Sequence, residues 1–286
     1  MTPAEALIKK FGSIKTLPSI VSRLALLIND ENSTMQDFEE VIRLDPALVA
    51  RLLTLVNSSF FSLVRKVDSI PRAVALLGMK NLHNIAVTDT IQRMLRNHSG
   101  TTEFSPYRLW LHSAASGICG KMIAERIFTL NGDDAYLCGI IHDIGLIIIM
   151  GADPEAFLHL IGQLEPGGPS IVTLEQQMFQ TDHSEIGYIL SQEWHLPETV
   201  AAAIRDHHVD GNSDIAPHSP TGILQISEYI VHQLNFPAIK EGLVINLAPS
   251  LAAHLQNNME EYRVLAEDLP EELEKTKNMY GGLDTF

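Results

Sequence analysis

From Pro18 to Ile91 the apolar residues recur at helical rather than alternating spacing: Ile20, Leu24 and Leu27, then Phe38, Val41 and Ile42, then Leu48, Leu52 and Leu55. This pattern predicts short amphipathic helices in series. The punctuation agrees. Asn29 to Thr34 reads as a loop ending in a cap, and Asp45-Pro46 sets a capping carboxylate before a proline at the first helical position. Gly78 closes a helix that begins near Ser69-Ile70-Pro71. The polar stretch from Asn97 to Pro106 marks a subdomain boundary. Beyond it, helices are expected at about 107–129, 133–151, 154–164, 170–178, 182–194, 197–208, 220–234 and 240–256. The acidic segment from Glu260 to Lys277 reads as a solvated helix. Extended runs rich in Val, Thr and aromatics are missing from the sequence, so the predicted class is all-α. Its expected units are an N-terminal helical subdomain over residues 1–99, a second helical subdomain over 105–235 packed against it, and a C-terminal helical segment over 236–286.

Composition narrows the functions open to such a fold. With 286 residues, 45% of them hydrophobic, the chain has material for a core and is neither disordered nor fibrous. Twenty Lys and Arg against 35 Asp and Glu leave a net charge of −15, which repels nucleic-acid phosphates and anionic lipid. A general nucleic-acid or membrane-surface binder is thereby disfavoured. Cys119 and Cys138 are the two cysteines, both in apolar stretches, which excludes a disulfide framework or a Cys-rich zinc site and fits a reducing cytoplasm. The first ten residues lack the apolar core of a secretory signal, and the most apolar run, Cys138 to Met150, is interrupted by His142 and Asp143; neither export nor a membrane span is expected.

Twelve histidines crowd toward the middle of the chain, and His142-Asp143 is the sharpest signal among them. An imidazole and a carboxylate inside an apolar run are costly to bury unless paired or bound to metal. Neighbouring helical residues point about 100° apart, so this pair can serve one ion with the His and a second with the Asp. The plainer alternative is a buried His–Asp ion pair. Other candidate ligands are His112, followed by the small residues Ser113-Ala-Ala-Ser-Gly that let a neighbouring helix approach, His183 at a helix start after Thr181-Asp182, and the adjacent pair His207-His208 at a helix end. Together they point to a dinuclear nitrogen-and-oxygen site in a helical scaffold.

The order His112, His142-Asp143, His183, His207-His208 resembles the HD superfamily of metal-dependent phosphohydrolases, most closely its HD-GYP branch. The N-terminal half is similar to the HDOD domain through Leu17-Pro18-Ser19-Ile20, Asp45-Pro46-Ala-Leu-Val-Ala-Arg-Leu-Leu, Val56-Asn57-Ser58-Ser59-Phe60 and Ser69 to Gly78. The chain is identified as a member of the HDOD family by these motifs, which run with the HD half from residue 17 to about 235. The resemblance implies an all-helical fold and a role in bacterial signalling without established hydrolysis. It also implies that Glu228 stands where the superfamily has its closing Asp, with the plainer alternative of an exposed helix residue. On this reading Asp143 bridges; His183, His207 and His208 complete one ion, and His112, His142 and Glu228 the other. Iron is favoured by family analogy, with manganese, zinc or nickel equally compatible.

Departures from the hydrolytic relatives decide the expected function. The Lys that follows His-Asp-Ile-Gly in them is Leu146 here, the Gly-Tyr-Pro signature is replaced by Val209 to Ser213, and Arg108 stands where a trinuclear relative has a Glu. No catalytic residue is therefore assigned. The expectation is a cytoplasmic signal-transduction module that keeps the metal site and binds a signalling protein partner. The rival is a metal-dependent phosphohydrolase acting on a cyclic dinucleotide or nucleotide. An open cleft with a cationic or polar wall is expected of the enzyme, and a site plugged by Leu146 of the module. Asn57 to Phe61 reads either as a partner-docking loop or as a helix end whose Phe packs inward.

Overall fold

Every regular element among the described residues is a helix, and the caps read from the sequence have visible causes. The structure, a computed structural model, describes residues 1–12, 19–57, 66–96, 100, 104–209, 214–239 and 247–279. In chain order the helices are α1 (Pro3–Phe11), α2 (Ser19–Asn29), α3 (Met35–Arg43), α4 (Pro46–Val56), α5 (Ile70–Leu77) and α6 (Met79–Arg96). They continue with α7 (Pro106–Met122), α8 (Asp133–Ile141), α9 (Ile144–Ala152), α10 (Pro154–Gln163) and α11 (Ile171–Phe179). The last are α12 (His183–Glu193), α13 (Glu198–Asp206), α14 (Pro220–Gln233), α15 (Pro249–Asn257) and α16 (Met259–Met279). Thr34 and Asp37 form a reciprocal capping box on α3, and the Asp45 carboxylate accepts the Leu48 N–H at 3.0 Å to start α4. Gly78 ends α5 at φ 81°, in the region that favours glycine.

Three helix boundaries and one burial pattern differ from expectation; the helix expected over 240–256 starts, among the described residues, only at Pro249. The helix expected over 107–129 leaves α-geometry at Met122 and finishes as a π-helical turn over Ile123–Ile127. The one expected over 133–151 is broken at His142-Asp143, where Asp143 takes φ −92° and ψ 11°. The acidic helix α16 is not simply solvated: Tyr262, Leu265, Leu269 and Leu273, spaced three and four apart, are buried, and the helix packs on α7. Residues 58–65, 210–213 and 240–246, including most of the Asn57–Phe61 loop and the Val209–Ser213 replacement, lie outside the described residues.

Close helix contacts depend on missing side chains. A Cβ on Gly139 of α8 would sit 2.3 Å from the Gly117 nitrogen of α7, so the small-residue stretch after His112 does admit a neighbouring helix. A Cβ on Gly145 of α9 would sit 2.1 Å from the His183 carbonyl oxygen on α12. At its other end α9 receives α1, whose Phe11 ring lies against Gly151 while Lys10 Nζ meets Asp153 Oδ2 at 3.1 Å. The stretch Asp133–Ala152 is apolar and long enough by composition to cross a membrane, but 89% of it is buried within the protein and the turn at His142-Asp143 divides it.

Helix α6 runs between the N-terminal helices and α7–α8, and it buries polar groups. Asp89 accepts from Arg51 Nε at 3.0 Å and pairs with Arg93 at 3.1 Å, tying α4 to α6. His83 is 3% exposed, and burial pulls its pKa down to about 4. Because this histidine binds a proton more weakly folded than unfolded, it contributes stability above the unfolded pKa near 6.5 that is lost as pH falls toward 4. Acid titration should therefore lower the unfolding free energy over that window by roughly 1 kcal/mol per pH unit from this group. Urea denaturation of His83→Gln is expected to show a shallower acid slope; an identical slope would remove His83 as its source.

Candidate metal centre

Six helices deliver seven side chains to one point. His112 comes from the middle of α7, His142 from the C-cap of α8, Asp143 from the N-cap of α9, His183 from the first residue of α12, His207 and His208 from the end of α13, and Glu228 from the middle of α14. All are buried except His208, which lies at the exposed edge. The break at His142-Asp143 explains how adjacent residues serve together. Asp143 occupies a capping position, yet its carboxylate makes no cap and turns to the histidines instead.

The carboxylate of Asp143 lies between two groups. Its Oδ1 is 3.5 Å from His183 Nε2 and 3.9 Å from His207 Nε2, and its Oδ2 is 3.3 Å from His142 Nε2 and 3.7 Å from His112 Nε2. Glu228 Oε1 closes the second group at 2.8 Å from His142 and 3.1 Å from His112. Within Asp143, His183, His207 and His208, and again within His112, His142 and Glu228, one ligand atom per residue lies within 4.8 Å of the others.

What the outer ring nitrogens do determines what the inner ones can do. His112 Nδ1 meets the Phe236 carbonyl at 2.8 Å, His142 Nδ1 the Gly139 carbonyl at 2.8 Å, and His207 Nδ1 the Ile204 carbonyl at 2.5 Å. A carbonyl only accepts, so each Nδ1 carries the proton and a neutral ring presents a bare lone pair at Nε2. His183 is held likewise, its Nδ1 donating to Glu175 Oε2 at 2.6 Å while its backbone N–H donates to the same oxygen at 3.2 Å. The inner nitrogens then face one another: His112 and His142 at 3.3 Å, His183 and His207 at 3.3 Å, His183 and His208 at 3.0 Å. Acceptors packed this closely, together with two carboxylates, need positive charge among them.

The titration of the groups reflects that need. Burial works against charge on His142, but the Asp143 and Glu228 carboxylates hold its pKa well above the ordinary value. Burial opposes charge on His183 too, and Glu175 overrides it, raising the pKa to about 9. Asp143 and Glu228 are both lowered despite burial, chiefly by His142. His207 is pushed well below its usual range by burial and His208, and His208 to about 4 by burial and His183. A proton on His183 Nε2 satisfies one of its two imidazole contacts and leaves the other, whereas a metal ion accepts lone pairs from several donors at once. The residues fit one or two ions bound by nitrogen and oxygen.

Beside the ligands lies a cavity of about 590 Å³ lined by His112, Asp143, His183, His207, His208 and Glu228 together with Leu146, Leu164, the 167–173 segment, Gln225, His232, Pro237 to Ile239 and Leu247. Leu146 is 1% exposed and forms wall without filling the space, so the expected plug is not there. Arg108 donates to the Ile239 carbonyl at 2.8 Å. Two residues escaped the sequence reading. Glu175 is 1% exposed and sits on the apolar stripe of α11 beside Leu174, a position where a carboxylate calls for a partner. His232 lies four residues after Glu228 and so on the same face of α14.

The sequence matches the HDOD domain family over residues 14–209. A protein of Treponema pallidum (strain Nichols), named only as uncharacterized, is 30% identical over 223 residues, which is 76% of this chain and 40% of that protein. The chain thus spans well under half of that relative's length. Among solved structures, an HDOD domain protein of unknown function from Geobacter sulfurreducens superposes with a TM-score of 0.65 at 23% identity, covering 93% of this chain and 98% of its own. A candidate signal transduction protein of Marinobacter aquaeolei VT8 gives 0.74 at 20% identity over 94% of this chain and 60% of its own. A candidate phosphohydrolase of Shewanella amazonensis SB2B gives 0.63 at 24% identity over 92% and 98%. At these identities the likeness is one of fold.

Two outcomes test the arrangement. Asp143→Ala should abolish metal binding measured by elemental analysis, since Asp143 alone reaches both groups; full retention removes the bridge. Glu175→Gln weakens the hold on His183 and should cost roughly 10- to 100-fold in metal affinity by competition with a chelating dye, with the fold intact by circular dichroism.

Proposed function

The chain belongs to the HDOD domain family, and from that premise we propose that it is a cytoplasmic, non-hydrolytic signal-transduction module that retains an HD-type site for one or two transition-metal ions and docks a signalling protein. His183, His207, His208 and Asp143 would hold one ion, and His112, His142, Glu228 and Asp143 the other. Iron is favoured by family analogy; manganese, zinc and nickel suit the same donors. Bound there, such ions supply Lewis acidity. The observation that carries the reading is the convergence of inner imidazole nitrogens whose outer nitrogens already donate elsewhere. The net charge of −15 supports a protein partner over nucleic acid or an anionic membrane.

The absence of hydrolysis is inferred from Leu146. Phosphoryl transfer depends on positive charge placed around the phosphate, and loss of one such donor commonly costs roughly 10² to 10³ in rate. Leu146 puts a buried aliphatic chain in the wall where hydrolytic relatives have a lysine, and among the described lining residues no Lys or Arg replaces it. A second reading, a metal-dependent phosphohydrolase acting on a cyclic dinucleotide or nucleotide, is favoured by the open cavity beside the ligands.

Protein purified without added metal should carry one or two transition-metal equivalents, and its melting temperature should fall when a chelator removes them. The same sample should leave a cyclic dinucleotide intact. Turnover at an ordinary enzymatic rate, lost in His142→Ala, would promote the second reading.

A further inference from the structure

The cavity has a second character besides the ligands at one part of its wall. Leu146 from α9, Leu164 after α10, Val172 from α11, and Pro237, Ile239 and Leu247 beyond α14 supply an aliphatic lining. Val209, next to His208 on the same wall, leaves 40% of its surface exposed. Leu146, Leu164 and Ile239 back this wall at 6% exposure or less, while the half-buried Val172 and Leu247 and the exposed Val209 present its open aliphatic surface, which is costly in water and is recovered when an apolar body enters. One polar group stands apart from the ligand set. His232 Nε2 is buried and has no hydrogen-bond partner, one helical turn beyond Glu228. Such an atom is satisfied by a polar group arriving with whatever fills the space.

We infer that the cavity is a ligand-sensing pocket for a small amphipathic monocarboxylate, with its oxygen-donor head at the metal ligands and His232 and its hydrocarbon body against Val172, Val209 and Leu247. The inference rests on the proposed metal site for the head and on the aliphatic wall for the body. It names a ligand with a single charge and a chain, in contrast to the two phosphates and polar bases of a cyclic dinucleotide. In a signalling module this pocket is the input.

The experiment is calorimetric titration of the protein as purified, its metal content measured on the same sample, with acetate, butanoate, hexanoate and octanoate, and with inorganic phosphate and a cyclic dinucleotide for comparison. Affinity should rise roughly fourfold per methylene until the cavity is full. Val172→Asp, at a half-buried position, should flatten that rise without lowering the melting temperature. His232→Ala should weaken every member of the series by about the same factor, roughly tenfold or more, leaving the slope in place. A flat series, or phosphate or the cyclic dinucleotide binding more tightly than octanoate, overturns the inference. The metal reading is judged separately. Metal with a flat series removes the pocket and keeps the metal site; a rising series without metal keeps the pocket and removes the metal site. Neither metal nor slope removes both.

Discussion

The arrangement turns on proton placement at four imidazoles. His112, His142, His183 and His207 each commit Nδ1 to a carbonyl or carboxylate, and that commitment fixes which nitrogen faces inward. His112 and His142, and His183 and His207, then face each other as acceptors 3.3 Å apart, bounded by Asp143 and Glu228. While the rings are neutral, these inner nitrogens and the two carboxylates repel rather than attract one another. They stay together because helices packed elsewhere hold them there and because cations are favoured among them. Where the outer partners are peptide carbonyls, the site is oriented by backbone, that of α8 and α13 for His142 and His207 and that of the segment after α14 for His112, which is harder to disturb than a side-chain contact. His183 is the exception, and its dependence on Glu175 makes α11 part of the site although it supplies no inner ligand.

That cluster requires backbones to come closer than ordinary side chains permit. Gly139 brings α8 onto α7, and so His142 toward His112; Gly145 brings α9 onto α12, and so Asp143 toward His183. The magnitudes favour burial of the carboxylate on α9. Desolvating one ion costs several kcal/mol after relaxation, whereas Ile144, Leu146, Ile147, Ile148 and Ile149, all at 2% exposure or less, contribute on the order of 10 kcal/mol as an upper estimate. One apolar helix can therefore carry Asp143 inside. It does not also offset Glu228 and Glu175, which need the charges at the histidines beside them.

Much of this was legible in the sequence, for reasons that differ by residue. Thr34, Asp45 and Gly78 act through their nearest neighbours, so local spacing revealed them. The six candidate ligands from His112 to His208 were visible because imidazoles and a carboxylate stand out against apolar or small residues, and Glu228 because the order of motifs placed it. The break at His142-Asp143 was hidden because the hydropathy is continuous through it, although Asp is a residue type that caps helices. The buried stripe of α16 was masked by the acidic residues between its leucines. Glu175 was missed because its meaning depends on a residue eight positions away on another helix, a relation that no single helical period encodes.

The helix that follows Asp143 also ties α1 to the candidate site. Helix α9 begins at Asp143 and is held there by its contact at Gly145 with α12; it ends at Asp153, where Lys10 and the Phe11 ring of α1 take hold. Helix α1 packs on α12 as well as on α9, so it spans the two helices whose spacing separates Asp143 from His183. Interiors packed at crystal density transmit small displacements rather than absorb them. The family match starts at residue 14, beyond α1, so the element that bridges these two ligand-bearing helices lies outside the part of the chain that the family defines.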